Sequence, residues 1–358
     1  MNIMVFDVPA ESGGALSILN DFYQEVIEND DKNINWIFVL SKPEYKEFDN
    51  ITVLNFSWVK KSWFHRLYFD HFVAPKLVKK YNIDKIFSLQ NVIIPKTDVE
   101  QILYAHQPLP FSGYKFNINE NFKFWIYQNL ISKKIYNSIK LANKVIVQTN
   151  WMKKACTEKA DVKSDKIDVI PPKINLNIEN TFDKNNKIKT FFYPAGASYY
   201  KNHRLIIEAS KLLEASNIND YKIILTLNGN ENKNIKELYK EVKKYNLPVE
   251  FAGRLERDEV FNLYTKSYLL FPSYIETFGL PMLEAKLHKT IILASDKAFS
   301  HEILDDYENA YFFDPFDAEE LMKYMKKLLV GEISYKKVNS VSKSNNNSLY
   351  SEVIKKLN

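Results

Sequence analysis

Short apolar runs alternate with longer amphipathic stretches along most of this chain, and that alternation limits the fold more than any other feature. A short buried run followed by a helix-period pattern is the signature of βαβ units, whose crossovers generate parallel sheets covered by helices on both faces. The first series predicts strands over 2–6, 36–40, 51–55, 85–88, 102–105, 144–148 and 167–170, with helices over 15–28, 67–81 and 122–142. The second predicts strands over 190–193, 222–227, 249–251, 268–271, 290–294 and 310–312, with helices over 203–215, 235–245, 257–266, 281–288 and 318–329.

Pro171-Pro172-Lys173 and the Asn/Lys-rich stretch after it separate the two series, because paired prolines stop both strand and helix. The expected organisation is a first domain over 1–173, a linker over 174–189, a second domain over 190–340 and a C-terminal segment over 341–358 that packs back on the first domain. A length of 358 residues accommodates two such cores. The predicted class is therefore α/β, with two Rossmann-like doubly wound domains facing a cleft, and ligands belong at the carboxyl ends of the strands.

Composition narrows the setting. The chain has one cysteine, Cys156, which cannot form an internal disulfide or anchor a cysteine-based metal site. The N-terminal stretch meets Asp7 at once and lacks the features of a signal peptide, and no apolar run approaches the ~18 residues of a spanning helix. A cytoplasmic location is expected, with peripheral association at the inner face of the plasma membrane. Charge is uneven: residues 1–50 carry 3 basic and 10 acidic groups, whereas residues 51–173 carry 20 basic and 9 acidic groups. The stretches 58–80 and 115–144 interleave lysine with Trp, Phe and Tyr, which suits an anionic membrane interface. Because 45 of the 49 basic residues are Lys and no reader motif occurs, a nucleic-acid partner is not expected.

The strongest local signal is the segment from Phe271 to Ala285, FPSYIETFGLPMLEA. An apolar strand enters a turn and a helix follows with Pro281 near its start, so the amides around Phe278, Gly279 and Leu280 lie at a helix N-terminus, where an anion is favoured. Glu276 sits in the turn and Glu284 eight residues later in the helix, and two such carboxylates can accept hydrogen bonds from sugar hydroxyls.

These residues resemble the E-x7-E signature of retaining GT-B glycosyltransferases of family four, the kind that builds bacterial surface polysaccharides, with Thr277 at a position that is usually Gly. FAGRL around Gly253 and ASD followed by HEIL after Ala294 fit the same pattern. The resemblance implies transfer of a hexose or N-acetylhexosamine from a nucleotide-sugar, UDP first and GDP next, to a saccharide or lipid-linked saccharide acceptor; because no D-x-D motif or His/Asp cluster occurs, no metal and no cofactor are expected. It implies that Glu276 holds sugar hydroxyls near the reacting centre, that Glu284 holds the ribose, and that Thr277, Phe278, Gly279 and Leu280 line the donor. The segment FFYPAGASYYKNH is similar to the family's diphosphate grip: Lys201 and Asn202 match its latter part, while the usual Arg falls on Ala195 or Gly196, leaving Arg204 or His203 as substitutes. Gly229, Gly253 and Arg254 match loops that approach the nucleotide base, and Gly13 and Gly14 match the family's glycine loop. His106, directly after an apolar strand, matches a histidine beside the donor sugar and the acceptor hydroxyl. The alternatives are a catalytically idle sugar-binding or scaffold subunit of a glycosylation complex, and a phosphorylase on the same fold.

Overall fold

The computed structural model describes all residues except 12, 174–177, 179, 185, 186, 339–347 and 358. The chain divides into two compact units, Met1–Ile174 with Ser344–Asn358, and Asn175–Lys343.

In the first unit, β1 (Asn2–Phe6), α1 (Gly13–Asn29), β2 (Asn35–Leu40), β3 (Ile51–Asn55), α2 (Trp63–Tyr68), α3 (Ala74–Lys80), β4 (Lys85–Ser88), β5 (Glu100–Tyr104), α4 (Ile118–Ile126), α5 (Ser132–Leu141), β6 (Lys144–Val147), α6 (Asn150–Ala160) and β7 (Ile167–Val169) follow in order. The seven strands form one parallel sheet in the order β3-β2-β1-β4-β5-β6-β7. Successive side chains of the central strands enter opposite faces, as the two-residue period of a strand requires. Ile3, Val5, Trp36, Phe38 and Phe87 join one core, while Met4, Phe6, Ile37, Val39 and Ile86 join the other.

In the second unit, β8 (Thr190–Tyr193), α7 (His203–Ala215), β9 (Lys222–Leu225), α8 (Lys233–Lys244), β10 (Val249–Phe251), α9 (Arg257–Lys266), β11 (Tyr268–Phe271), α10 (Leu280–Leu287), β12 (Ile292–Ser295), α11 (Ala298–Leu304), β13 (Ala310–Phe313) and α12 (Ala318–Leu329) give a six-stranded parallel sheet, β10-β9-β8-β11-β12-β13. The winding reverses between β8 and β11, and the crossovers after these two adjacent strands leave on opposite faces of the sheet, the place where doubly wound folds carry their ligand crevice.

Two predicted helices differ in form. The segment expected from Leu67 starts at Trp63 and widens into a π-helical turn over Phe69–Val73 just before Pro75. Proline lacks an N–H and its ring crowds the carbonyl four residues back, so a local widening accommodates it without ending the helix. In the segment expected from Phe122, one turn precedes that residue, and Asn121 leaves helical geometry while its side chain accepts from the Phe124 amide at 3.1 Å. The uninterrupted helix thus begins where an asparagine caps it. A second π-helical turn spans Tyr127–Ile131.

The expected linker over 174–189 lies partly outside the described residues. Within it, Phe182 is buried and its amide donates to the His288 carbonyl at 2.8 Å, so this piece is built into the second unit. Helix α13 (Leu349–Leu357) belongs to the first unit: Val353 is fully buried, the Tyr350 amide donates to Glu25 Oε2 at 3.0 Å, and the Tyr350 ring lies 5.9 Å from that of Trp36. Among the described residues no helix is long and apolar enough to cross a membrane.

Candidate functional site

The crevice of the second unit is built by backbone before side chains. Beyond β8, the Tyr200 carbonyl accepts from the Tyr274 amide and from Ser273 Oγ, each at 3.2 Å, both from the loop after β11. Asn202, in left-handed geometry, donates through Nδ2 to the carbonyls of Pro272 at 3.2 Å and Pro315 at 2.7 Å. Tyr193 Oη donates to the Lys201 carbonyl at 2.8 Å, and Ser295 Oγ to that of Ser273 at 2.5 Å. The loops after β8, β11 and β13 and the end of β12 are therefore tied together, and the side-chain amide of Asn202 is engaged in that tie.

On this frame Lys201 Nζ meets Glu276 Oε1 in an ion pair, the two side chains 22% and 13% exposed. Burial opposes the charge on Lys201, but the Glu276 carboxylate and Tyr200 beside it outweigh burial and raise its pKa. Glu276 follows β11 and Lys201 follows β8, so the pair straddles the reversal in the sheet.

Helix α10 begins one turn beyond Glu276. Gly279 precedes it with φ +92°, left-handed geometry that glycine adopts freely, and a Cβ there would fall 2.4 Å from Met282 Cε. Thr277 is not among the residues with positive φ, so the turn accepts a threonine there without strain. The amides of Phe278, Gly279 and Leu280 find no acceptor among the described residues. Three open N–H groups at a helix start, next to a lysine, can hold an anion.

Glu284, four residues into α10, is mostly buried. Its Oε2 accepts from Tyr264 Oη at 3.1 Å and its Oε1 lies 3.8 Å from Arg257. Burial raises the pKa of Glu284, opposed by the tyrosine hydrogen bond and by Arg257. Tyr264 and Arg257 were not singled out by the sequence reading. Their seven-residue spacing on α9, with Phe261 between them under the guanidinium at 5.1 Å, places all three on one helix face and was the available signal.

Neither suggested substitute for the missing arginine offers an uncommitted positive charge. Arg204 pairs with Glu241 at 2.5 Å and Glu208 at 3.4 Å, and His203 is buried with its pKa pushed down to about 3, by burial and then by Lys201. Gly196 is exposed, with open space around the position of a Cβ. At the carboxyl end of β9, the Gly229 amide donates at 3.1 Å to Glu231, which also takes the amides of Asn228 and Asn230, so this turn is closed by its own carboxylate. Gly253, with φ +74°, brings the loop after β10 so close to Asn228 that a Cβ would lie 2.8 Å from its Oδ1, and Arg254 beside it is exposed.

The other expected site residues lie in the first unit. His106 follows β5 and burial pushes its pKa down to about 4, so the ring is neutral at pH 7. Asn91 Oδ1 accepts from the amides of His106 at 2.7 Å and Gln107 at 2.9 Å and fixes this turn. Gly13 opens α1 with φ +64°, and both it and Gly14 have open space where a Cβ would stand; Ser12 before them lies outside the described residues.

Comparison with known proteins agrees with this architecture. Residues 176–345 match the family model described as glycosyl transferases group 1. The O-antigen chain mannosyltransferase RfbU of Salmonella typhimurium is 23% identical over 263 residues, 73% of this chain and 69% of that protein. The structure of WaaG, a glycosyltransferase involved in lipopolysaccharide biosynthesis, superposes with a TM-score of 0.67 at 14% identity, covering 92% of this chain and 90% of WaaG. Anabaena Alr3699/HepE in complex with UDP-glucose gives a TM-score of 0.65 at 16% identity over 93% of this chain and 90% of that one. The chain thus has the two Rossmann-like halves of the GT-B glycosyltransferase fold, and the stretch over 176–345 is similar to the group 1 glycosyl transferases.

Proposed function

We propose that the protein is a retaining glycosyltransferase that takes a hexose from a nucleotide-sugar, without a metal ion, and passes it to a saccharide or lipid-linked saccharide of a cell-surface polysaccharide. The observation that carries this reading is the Lys201–Glu276 pair at the strand reversal, next to three open amides at the start of α10. When a sugar leaves a nucleoside diphosphate, negative charge grows on the phosphate and positive character on the anomeric carbon. Lys201 and the amides of Phe278, Gly279 and Leu280 stabilise the leaving diphosphate, a preorganised positive site in the place where other enzymes use a cation. Glu276 then accepts hydroxyls of the transferred sugar and Glu284, steadied by Tyr264, accepts the ribose hydroxyls. His106, neutral at working pH, is suited to hydrogen-bond a sugar or acceptor hydroxyl. RfbU is a mannosyltransferase, which supports mannose as the hexose, and the UDP-glucose complex of HepE supports a nucleotide-sugar donor. In this reading the protein works in the cytoplasm, where nucleotide-sugars are made.

The experiment is calorimetric titration with UDP, GDP, ADP and CMP in the presence of chelator, for the native protein and Glu284→Ala. Binding of one nucleotide, weakened in the variant, is expected; product anomers read by NMR then test retention. Activity lost to chelator and restored by Mn²⁺ would overturn metal independence. One observation favours a second reading as an idle sugar-binding subunit: no arginine stands at Ala195 or Gly196, and Arg204 is engaged by Glu241 and Glu208. An idle subunit would keep its function in Glu276→Ala, whereas a transferase would lose it.

A further inference from the structure

The first unit exposes apolar side chains in a way that its own packing does not explain. Fifteen large hydrophobic residues are exposed among those described, and eight of them fall in residues 63–72 and 118–130, so they cluster. Trp63, Phe64, Leu67, Tyr68 and Phe72 project from one helical segment, with Phe64 83% exposed and Trp63 63%. Ile118, Phe122 and Leu130 project from the other. Spacings of four residues in 63/67 and 64/68/72 place these side chains in stripes along the first segment, and Tyr68 stacks on Phe72 at 5.5 Å. The two segments are neighbours in the first unit, for Asp70 on one accepts from Lys134 on the other at 2.7 Å.

Isolated exposed apolar residues are ordinary, but a cluster of this kind marks a surface that another phase or molecule covers. Charge decides which. Stretches 58–80 and 115–144 each contain six Lys or Arg and one acid. The acid of the first, Asp70, is 1% exposed and neutralised by Arg66 at 2.8 Å and Lys134. Glu120 in the second is held by Tyr114 Oη. Lys61, Lys76, Lys79, Lys80, Lys123 and Lys133 are exposed. A second copy of the chain meeting this face would set lysine against lysine. An anionic bilayer answers both features, because aromatic rings settle at the level of the headgroups while lysines reach the phosphates. We propose that residues 63–80 and 118–133 form a docking face for an anionic membrane, with Trp63, Phe64, Tyr68, Phe72 and Phe122 entering the interface.

Docking does not depend on the transferase chemistry, since vesicle binding is read with no nucleotide present. The test is co-sedimentation of the full chain with vesicles of phosphatidylglycerol and phosphatidylcholine in equal parts, and with phosphatidylcholine alone. Two variants accompany it: Phe64→Ser with Phe72→Ser, and Lys61→Glu with Lys76→Glu and Lys123→Glu. Lys60 is left in place because it donates to the Pro9 carbonyl at 2.7 Å. All substituted positions are exposed, and an unchanged melting temperature verifies that the variants fold. The expected result is binding to the anionic vesicles only, weakened by salt and by at least about tenfold in each variant. No binding of the native chain to anionic vesicles at low salt would overturn the proposal. Binding that neither variant weakens would do the same, as would self-association in sedimentation velocity that the Phe64/Phe72 variant abolishes, which would identify a second copy as the occupant.

Discussion

Replacing Lys201 by methionine separates what the Lys201–Glu276 pair does for the fold from what it does for a ligand. Both side chains are less than a quarter exposed, so removing the lysine leaves a carboxylate with little water to replace its partner. Breaking a buried pair in this way costs about 3–5 kcal/mol, and the residual exposure of both groups places the expectation at the lower end, about 3 kcal/mol. Glu276→Gln added to Lys201→Met removes the stranded charge, so the double variant should regain about 2 kcal/mol. Urea unfolding at pH 7 measures both values. Because the pair raises the pKa of Lys201 above that of an ordinary lysine, its contribution is complete below pH 10.5 and is lost only as pH rises through the raised value. Repeating the cycle between pH 6 and pH 9 should therefore give the same numbers. If the proposed role is right, nucleoside diphosphate affinity falls as well, by about 1.5–3 kcal/mol for a lost hydrogen bond to a charged group, or roughly 10- to 150-fold. A single variant costing less than about 0.5 kcal/mol, with no recovery in the double, would refute the electrostatic argument. A full stability loss with unchanged diphosphate affinity would make Lys201 a structural residue.

Other perturbations probe the surrounding elements. Gly279→Ala forces a side chain into left-handed backbone and against Met282, so about 1–2 kcal/mol of stability should be lost in urea unfolding, whereas Gly196→Ala, in open space, should cost less than about 0.5 kcal/mol. Tyr264→Phe removes the hydroxyl that steadies Glu284 and should weaken nucleotide binding several-fold in calorimetry while leaving the phenyl ring packed. The His106 ring, its pKa lowered by burial to about 4, should show no NMR titration between pH 8 and pH 5.5. The sign follows: its neutral form supports the fold fully above the ordinary value near 6.5, and that contribution fades as pH falls towards 4.

The two sheets were legible because a parallel strand is buried on both faces and reads as an uninterrupted apolar run. Tyr268–Phe271 and Asn2–Phe6 show this directly, every residue but Asn2 being buried. What the pattern could not show was the irregularity inside the helices. A π-helical turn of five residues, as over Phe69–Val73, is too short to register in the apolar periodicity, and only Pro75 hinted that the hydrogen-bond ladder must change there. The helical turn ahead of Asn121 was not expected, and at Asn121 the side chain competes for the backbone and starts the helix afresh, close to the expected start at Phe122.

The site was legible to the extent that its groups are local in sequence. Glu276, the Phe278–Leu280 amides and Glu284 lie within nine residues, and the strand-turn-helix pattern alone orders them. Partners that come from elsewhere in the chain were not legible, because side-chain commitments do not follow from type or position. Arg204, three residues after Lys201, has the right charge to help at a diphosphate, yet Glu241, 37 residues away in sequence, draws its guanidinium away from that task. Lys201, with Glu276 75 residues distant, is drawn the other way. The difference between two cations so close in sequence is therefore set by where α8 and the turn after β11 place their carboxylates. It follows that adding Glu241→Gln should loosen Arg204 and partly restore diphosphate affinity to Lys201→Met; a double variant no better than Lys201→Met would mean that the side chain of Arg204 does not reach the crevice even when released.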